Sequence, residues 1–119
     1  MAEENDVLDA TALARLARLG GESLVARMIA IFLDNAPQRV AAATRAAAAG
    51  DAPVVERAAH SLKSMAANIG ARRLQDAAEI LETGIAMHDG GDLMARTARL
   101  QSELDVVRMA LEHRKGGTA

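Results

Sequence analysis

Cysteine, tryptophan and tyrosine are absent from this chain of 119 residues, and the sole phenylalanine is Phe32. Without thiols there is no disulfide framework, no Cys-based zinc site and no thiol nucleophile. With one aromatic, the core must be aliphatic, built from Leu, Ile, Val, Met and a large amount of Ala. Only two prolines occur, Pro37 and Pro53, and no alternating Val/Ile/Thr run is present, which leaves little room for a sheet. No apolar run approaches the roughly 18 residues needed to span a bilayer. The acidic start MAEENDVLDA lacks the positively charged segment and apolar run of a secretory signal. An excess of one sign of charge is missing too: 14 basic and 16 acidic residues are interspersed, for a formal net charge of -2. That balance leaves no electrostatic footprint for nucleic acid. The expectation is a cytoplasmic, all-α protein with neither a membrane nor a nucleic-acid partner.

What is present is abundant alanine, the best helix former, and apolar residues at helical spacing. Residues 1–8 read as a frayed lead-in. Asp9 is a candidate N-cap for a short helix carrying Leu13, Leu16 and Leu19, ended by Gly20-Gly21. A second helix starts near Glu22 and carries Leu24, Val25, Met28, Ile29 and Phe32. Pro37 lacks an N–H and clashes with the preceding turn, which predicts a kink or break near Asn35. The pattern resumes through Val40 to Ala49 and stops at Gly50. Asp51 caps the next helix, with Pro53 tolerated in its first turn. After Gly70 comes a segment with Leu74, Ala77, Ala78, Leu81 and Ile85 on one face, ending by His88-Asp89-Gly90-Gly91. Asp92 caps a last helix whose Leu93, Thr97, Leu100, Leu104, Val107 and Leu111 form a near-heptad seam. The tail HRKGGTA reads as disordered. Short connections make sequential helices antiparallel neighbours. The predicted architecture is therefore an antiparallel up-down four-helix bundle, with a short additional N-terminal helix lidding one end. It is read as a single domain over 1–119, flexible at 1–8 and 114–119; a monomer is favoured because no exposed apolar seam is evident, while the Ala-rich second helix leaves room for a dimer.

The stretch from Asp51 to Gly70, DAPVVERAAHSLKSMAANIG, organises the rest. Val55, Ala58, Ala59, Leu62, Met65, Ala66 and Ile69 recur at the spacing that stacks side chains on one face. At about 100° per residue, His60 then points roughly 160° away from Leu62. Small Ser64 and Ala67 follow it on that outer face, and Lys63 flanks it. An imidazole thus stands on an approachable patch of a well-anchored helix, beside a cation.

The run AAHSLKSMAANIGARRLQDAAEILE resembles the motif of histidine-containing phosphotransfer (HPt) domains. The matching positions are His60, Leu62, Lys63, Ser64, Gly70, Leu74, Leu81 and Glu82. Upstream, IFLDNAPQRVAAATRAAAAGD resembles, more loosely, the family's second helix and its proline, so the resemblance covers roughly Gly20 to Leu111. Ser64 departs from the glycine common in the family, but is still small. The resemblance implies a phosphorelay intermediate that accepts a phosphoryl group on His60 from the aspartyl phosphate of a receiver domain and passes it to another. Partners would be receiver domains of response regulators or hybrid histidine kinases. It implies Lys63 as the cation pairing with the phosphoryl group, and a docking surface of Arg57, Ser64, Ala67, Asn68 and Arg72. Histidine side chains are mostly neutral near pH 7, as a nucleophile must be, and Lys63 disfavours a second positive charge nearby. No acidic triad for Mg²⁺ and no Gly-rich phosphate loop is evident. The expectation is that this chain needs no cofactor of its own, the receiver supplying Mg²⁺, and has no autonomous kinase activity.

Other readings compete. A lone histidine on a helix is more often a solvated residue than a catalyst. His88 and His113 sit in last turns, where positive charge suits the helix dipole, and read as incidental. Glu56 reads as a surface charge. Arg72 and Arg73 begin a helix, an unfavourable place for cations, which suggests a face turned to a partner. Asn68 is placed to hydrogen-bond locally and hold the turn, and Gly70 to take positive φ there. A metal-binding bundle would want Glu-x-x-His pairs facing inward, whereas Glu56 and His60 are four apart and face outward. The alternative function is a helical-bundle adaptor that binds a signalling partner without being phosphorylated.

Overall fold

The computed structural model describes residues 7–87 and 92–117, with side chains as far as Arg114. Among them every regular element is an α-helix: α1 (Ala10–Ala48), α2 (Ala52–Ile69), α3 (Arg72–Ala86) and α4 (Leu93–Gly117). Each helix packs on the next, and α4 closes back on α1. The result is a four-helix bundle whose principal extents are 43 × 26 × 21 Å.

The apolar stripes read from the sequence form its core. On α2, Val55, Ala58, Ala59, Leu62, Ala66 and Ile69 are buried, and Met65 is half-buried. Leu74, Ala77, Ala78 and Leu81 of α3 meet Thr97, Leu100, Leu104, Val107 and Leu111 of α4 in the same interior. Three aspartates start three helices: Asp9 Oδ1 accepts from the Thr11 N–H at 2.9 Å, Asp51 Oδ1 from Val54 at 3.4 Å, and Asp92 Oδ1 from Ala95 at 3.0 Å. Each meets a backbone donor that the first turn leaves unpaired.

The break expected at Gly20-Gly21 is present, with Gly21 at φ 72, so a short arm, 10–19, precedes the long arm, 22–48. The break expected near Asn35 is not. No residue around Pro37 leaves helical φ/ψ. Buried Phe32, Ala36 and Val40 hold the helix to the core across that turn. Side-chain amides also serve the carbonyls there: Asn35 donates to Ile31 O at 2.8 Å and Gln38 to Asp34 O at 2.9 Å.

Three further expectations are corrected. Leu19 sits at the glycine break and is 74% exposed rather than part of the core. Val7, read as lead-in, is buried in the core cluster. The helix α4 runs on through His113 to Gly117, where a loose tail was expected. His88 and the turn through Gly91 lie outside the described residues.

The short arm seats on the corner between α2 and α3. The Asp9 N–H donates to Gly70 O at 2.7 Å. Gly70 has φ 77, and a Cβ there would stand 2.6 Å from Asp9 O. Only glycine fits both the left-handed conformation and this close approach.

Candidate functional site

The burial of Leu62 and its stripe turns the opposite side of α2 to water. His60 lies on that side with its side chain 64% exposed. Its ring is not loose. His60 Nδ1 lies 2.6 Å from Glu82 Oε2, and Lys63 Nζ lies 2.7 Å from Glu82 Oε1. Glu82 is on α3, one residue past buried Leu81, so the packing of α3 on α2 delivers its carboxylate between the two side chains. The Lys63 contact is an ion pair without hydrogen-bond alignment, leaving buried Oε1 with its charge met but no directed bond.

The Lys63 ammonium holds the Glu82 carboxyl below its ordinary range; partial burial opposes this, and the bond to His60 adds to it. Lys63 in turn is pushed up by the same contact. An ionised carboxylate only accepts hydrogen bonds. Nδ1 therefore carries a proton, and in the neutral ring the lone pair is on Nε2. A bond from the second ring nitrogen to a carboxylate fixes both tautomer and ring orientation.

Around His60, Arg57, Ser64, Ala67 and Asn68 are all exposed. The Asn68 side chain makes no hydrogen bond to the turn. That role falls to the backbone, where the Ala71 N–H donates to Ala66 O at 2.9 Å and Gly70 to Ala67 O at 3.3 Å. Arg72 is exposed near the corner, away from any ion pair among the described residues. Arg73 is half-exposed and is bound within the chain. Its Nε lies 3.1 Å from Glu103 Oε1 and its Nη2 donates to Oε2 at 3.3 Å, tying α3 to α4.

Sequence reasoning left Glu82 without a role. It was legible as a motif position, but its contact with His60 spans 22 residues and depends on the pairing of two helices.

The site is a raised patch rather than a pocket. A groove of about 930 Å³ between α1 and α4, with Ile29, Leu33 and Leu111 in its lining, holds no histidine. Among the described residues no group of three or more His, Asp or Glu side chains converges to hold a metal ion. No described helix is long and apolar enough to cross a membrane.

Comparison with known proteins adds two findings. Residues 27–113 match the model of the Hpt domain. The fold is similar to the crystal structure of histidine-containing phosphotransfer protein B from Pseudomonas aeruginosa PAO1, with a TM-score of 0.85 and 24% sequence identity, over 92% of this chain and 95% of that one. No curated protein matches the sequence.

Proposed function

The chain belongs to the Hpt domain family, and on that premise we propose that His60 is the residue through which it works as a histidine phosphotransfer protein of a phosphorelay. Receiver domains are its partners. The reading of the site rests on one observation: an exposed imidazole whose Nδ1 is held by Glu82 at 2.6 Å, leaving Nε2 without a partner among the described residues.

The chemistry follows from that tautomer. The Nε2 lone pair attacks the phosphorus of an aspartyl phosphate on a receiver. A P–N bond forms as the P–O bond to the aspartate breaks, and the aspartate leaves as a carboxylate. Nδ1 keeps its proton throughout, so the product is a phosphorylated imidazolium whose positive charge faces Glu82. In the return step Nε2 departs as a neutral nitrogen, which makes it a good leaving group. Lys63 balances Glu82, so the site does not confront the incoming phosphoryl group with an unpaired carboxylate.

Transfer in line requires the two proteins to come close, because misplacement by about 1 Å can cost 100-fold in rate. Ser64 and Ala67 form a low surface for that approach, with Arg57, Asn68 and Arg72 around it. The receiver brings Mg²⁺. We also propose that it acts as a cytoplasmic monomer with no membrane or nucleic-acid partner, the last supported by its near-neutral charge of -2.

The test is incubation with a phosphorylated receiver and Mg²⁺, reading transfer of label and its loss in acid, which distinguishes phosphohistidine from phosphoserine. His60→Gln is expected to abolish labelling while the bundle stays folded. Retained labelling would remove His60 from the role, and the absence of any label on the native chain would favour the adaptor reading.

A further inference from the structure

In the ring of helices α1 packs on α2, α2 on α3, α3 on α4 and α4 on α1. The seam of α2 and α3 carries His60 and Glu82. The opposite seam, between α1 and α4, holds the groove of about 930 Å³. On α1 its lining recurs at Glu22, Ala26, Ile29, Ala30, Leu33 and Asp34, the spacing of a single helix face. That face lies roughly 90° round the helix from the core stripe of Val25, Phe32, Ala36 and Val40. It therefore flanks the core: Ile29 and Leu33 are half-buried, and Ala26 and Ala30 are exposed. From Glu22 to Asp34 it runs about 18 Å. The last turns of α4 supply Leu111, Glu112 and Arg114.

Two alanines one turn apart make a low floor that lets another helix lie close, and Ile29 and Leu33 beside them give its apolar side chains something to meet. The rim is acidic. Among the charged residues lining the groove, Glu22, Asp34 and Glu112 are carboxylates and Arg114 is the one cation. Arg114 is already given to Glu22 at 3.4 Å. Asp34 and Glu112 are exposed, and their side chains meet no opposite charge among the described residues. Such a rim repels anionic lipid and nucleic acid, and attracts lysines or arginines set beside an apolar stripe. A second copy seated by two-fold symmetry would bring the same carboxylates toward each other.

We propose that the groove between α1 and α4 is a docking site for a basic amphipathic helix of a partner protein. Its apolar anchors lie over Ala26, Ile29, Ala30 and Leu33, and its cations meet Asp34 and Glu112. Because the groove is on the seam opposite His60, the docked helix leaves the imidazole uncovered. The assignment does not depend on phosphorylation of His60.

The probe is a synthetic helical peptide with leucines along one face and lysines flanking them, beside a version with glutamates in place of the lysines. Each is titrated into the full ¹⁵N-labelled chain. With the lysine peptide, amide shifts should move along 22–34 and 111–114, while those of His60 and Glu82 stay. Asp34→Lys combined with Glu112→Lys should weaken binding roughly tenfold, the sum of several exposed charge contacts. Ala30→Trp fills the floor and should abolish the shifts; a native melting temperature in both variants shows that they remain folded. No binding of the lysine peptide, equal binding of the glutamate peptide, shifts gathered at His60, or unchanged affinity after the charge reversal would each overturn the proposal. Shifts along 22–34 on concentrating the chain alone would give the groove to a second copy instead, and shifts with phosphatidylglycerol vesicles but not with the peptide would give it to a membrane.

Discussion

His60 and Glu82, 22 residues apart in the chain, meet at 2.6 Å through Nδ1 and Oε2. The proposed nucleophile is thus carried by one helix and oriented by another. Removing the carboxylate frees the ring to rotate and leaves the phosphorylated imidazolium without its counter-charge. Glu82→Ala is expected to slow phosphoryl transfer about tenfold, the low end for a hydrogen bond to a charged group. Glu82→Gln keeps an acceptor but not the charge and should fall between. Transfer rates from a phosphorylated receiver, with ¹⁵N shifts of the His60 ring as a report of tautomer, check this; unchanged rate and tautomer in Glu82→Ala would refute it.

The same carboxylate sets a pH dependence. Its folded value is depressed, chiefly by Lys63, so the native state binds fewer protons than the unfolded chain as acid is added. The stability it contributes is present above the ordinary carboxylate range and is lost as pH falls through the depressed value. Lys63 is shifted the other way; its contribution is present below the ordinary lysine value and is lost as pH rises through the raised one. Glu82→Gln should therefore flatten the acid limb of a stability–pH curve measured by urea unfolding between about pH 2 and 5. Some slope will remain, because the Thr11 backbone N–H also holds Asp9 below its usual range. An acid limb identical to that of the native protein would contradict the pairing.

At the corner, Gly70→Ala must place a methyl group 2.6 Å from Asp9 O while holding φ at 77. The expected cost is about 1–3 kcal/mol, the range for a non-glycine residue in a sparsely populated conformation. Urea unfolding measures it. Hydrogen exchange should locate the damage in the 10–19 arm, and a neutral substitution would show that the arm does not seat as described.

Ala67→Trp places a large ring on the exposed face without touching the core. Thermal stability should change little, and the second-order rate of transfer from a receiver should fall about 100-fold, the scale of a misplaced reacting atom. Native kinetics in this variant would exclude Ala67 from the approach surface.

Much of the fold was legible because helical periodicity and end signals are local. The buried stripe of α2, the seam of α4, the three capping aspartates and the left-handed Gly70 all follow from residues within a turn or two of each other. Pro37 does not break the helix, because local chemistry is only half of its case. The missing N–H is real, but Phe32, Ala36 and Val40 are buried on either side, and tertiary packing overrides the local penalty. Arg73 looked like a misplaced surface cation for a similar reason, since its partner Glu103 lies 30 residues on. His60 could be placed on the outer face from spacing alone, whereas the carboxylate that aims it could not.

The fork from Arg73 to Glu103 fastens the beginning of α3, and Glu82 rides the same helix two and a half turns later. A slide of α3 by one turn, about 5.4 Å, would carry the carboxylate out of reach of the imidazole. The clasp between α3 and α4 thus ties down the start of the helix that carries the carboxylate facing His60.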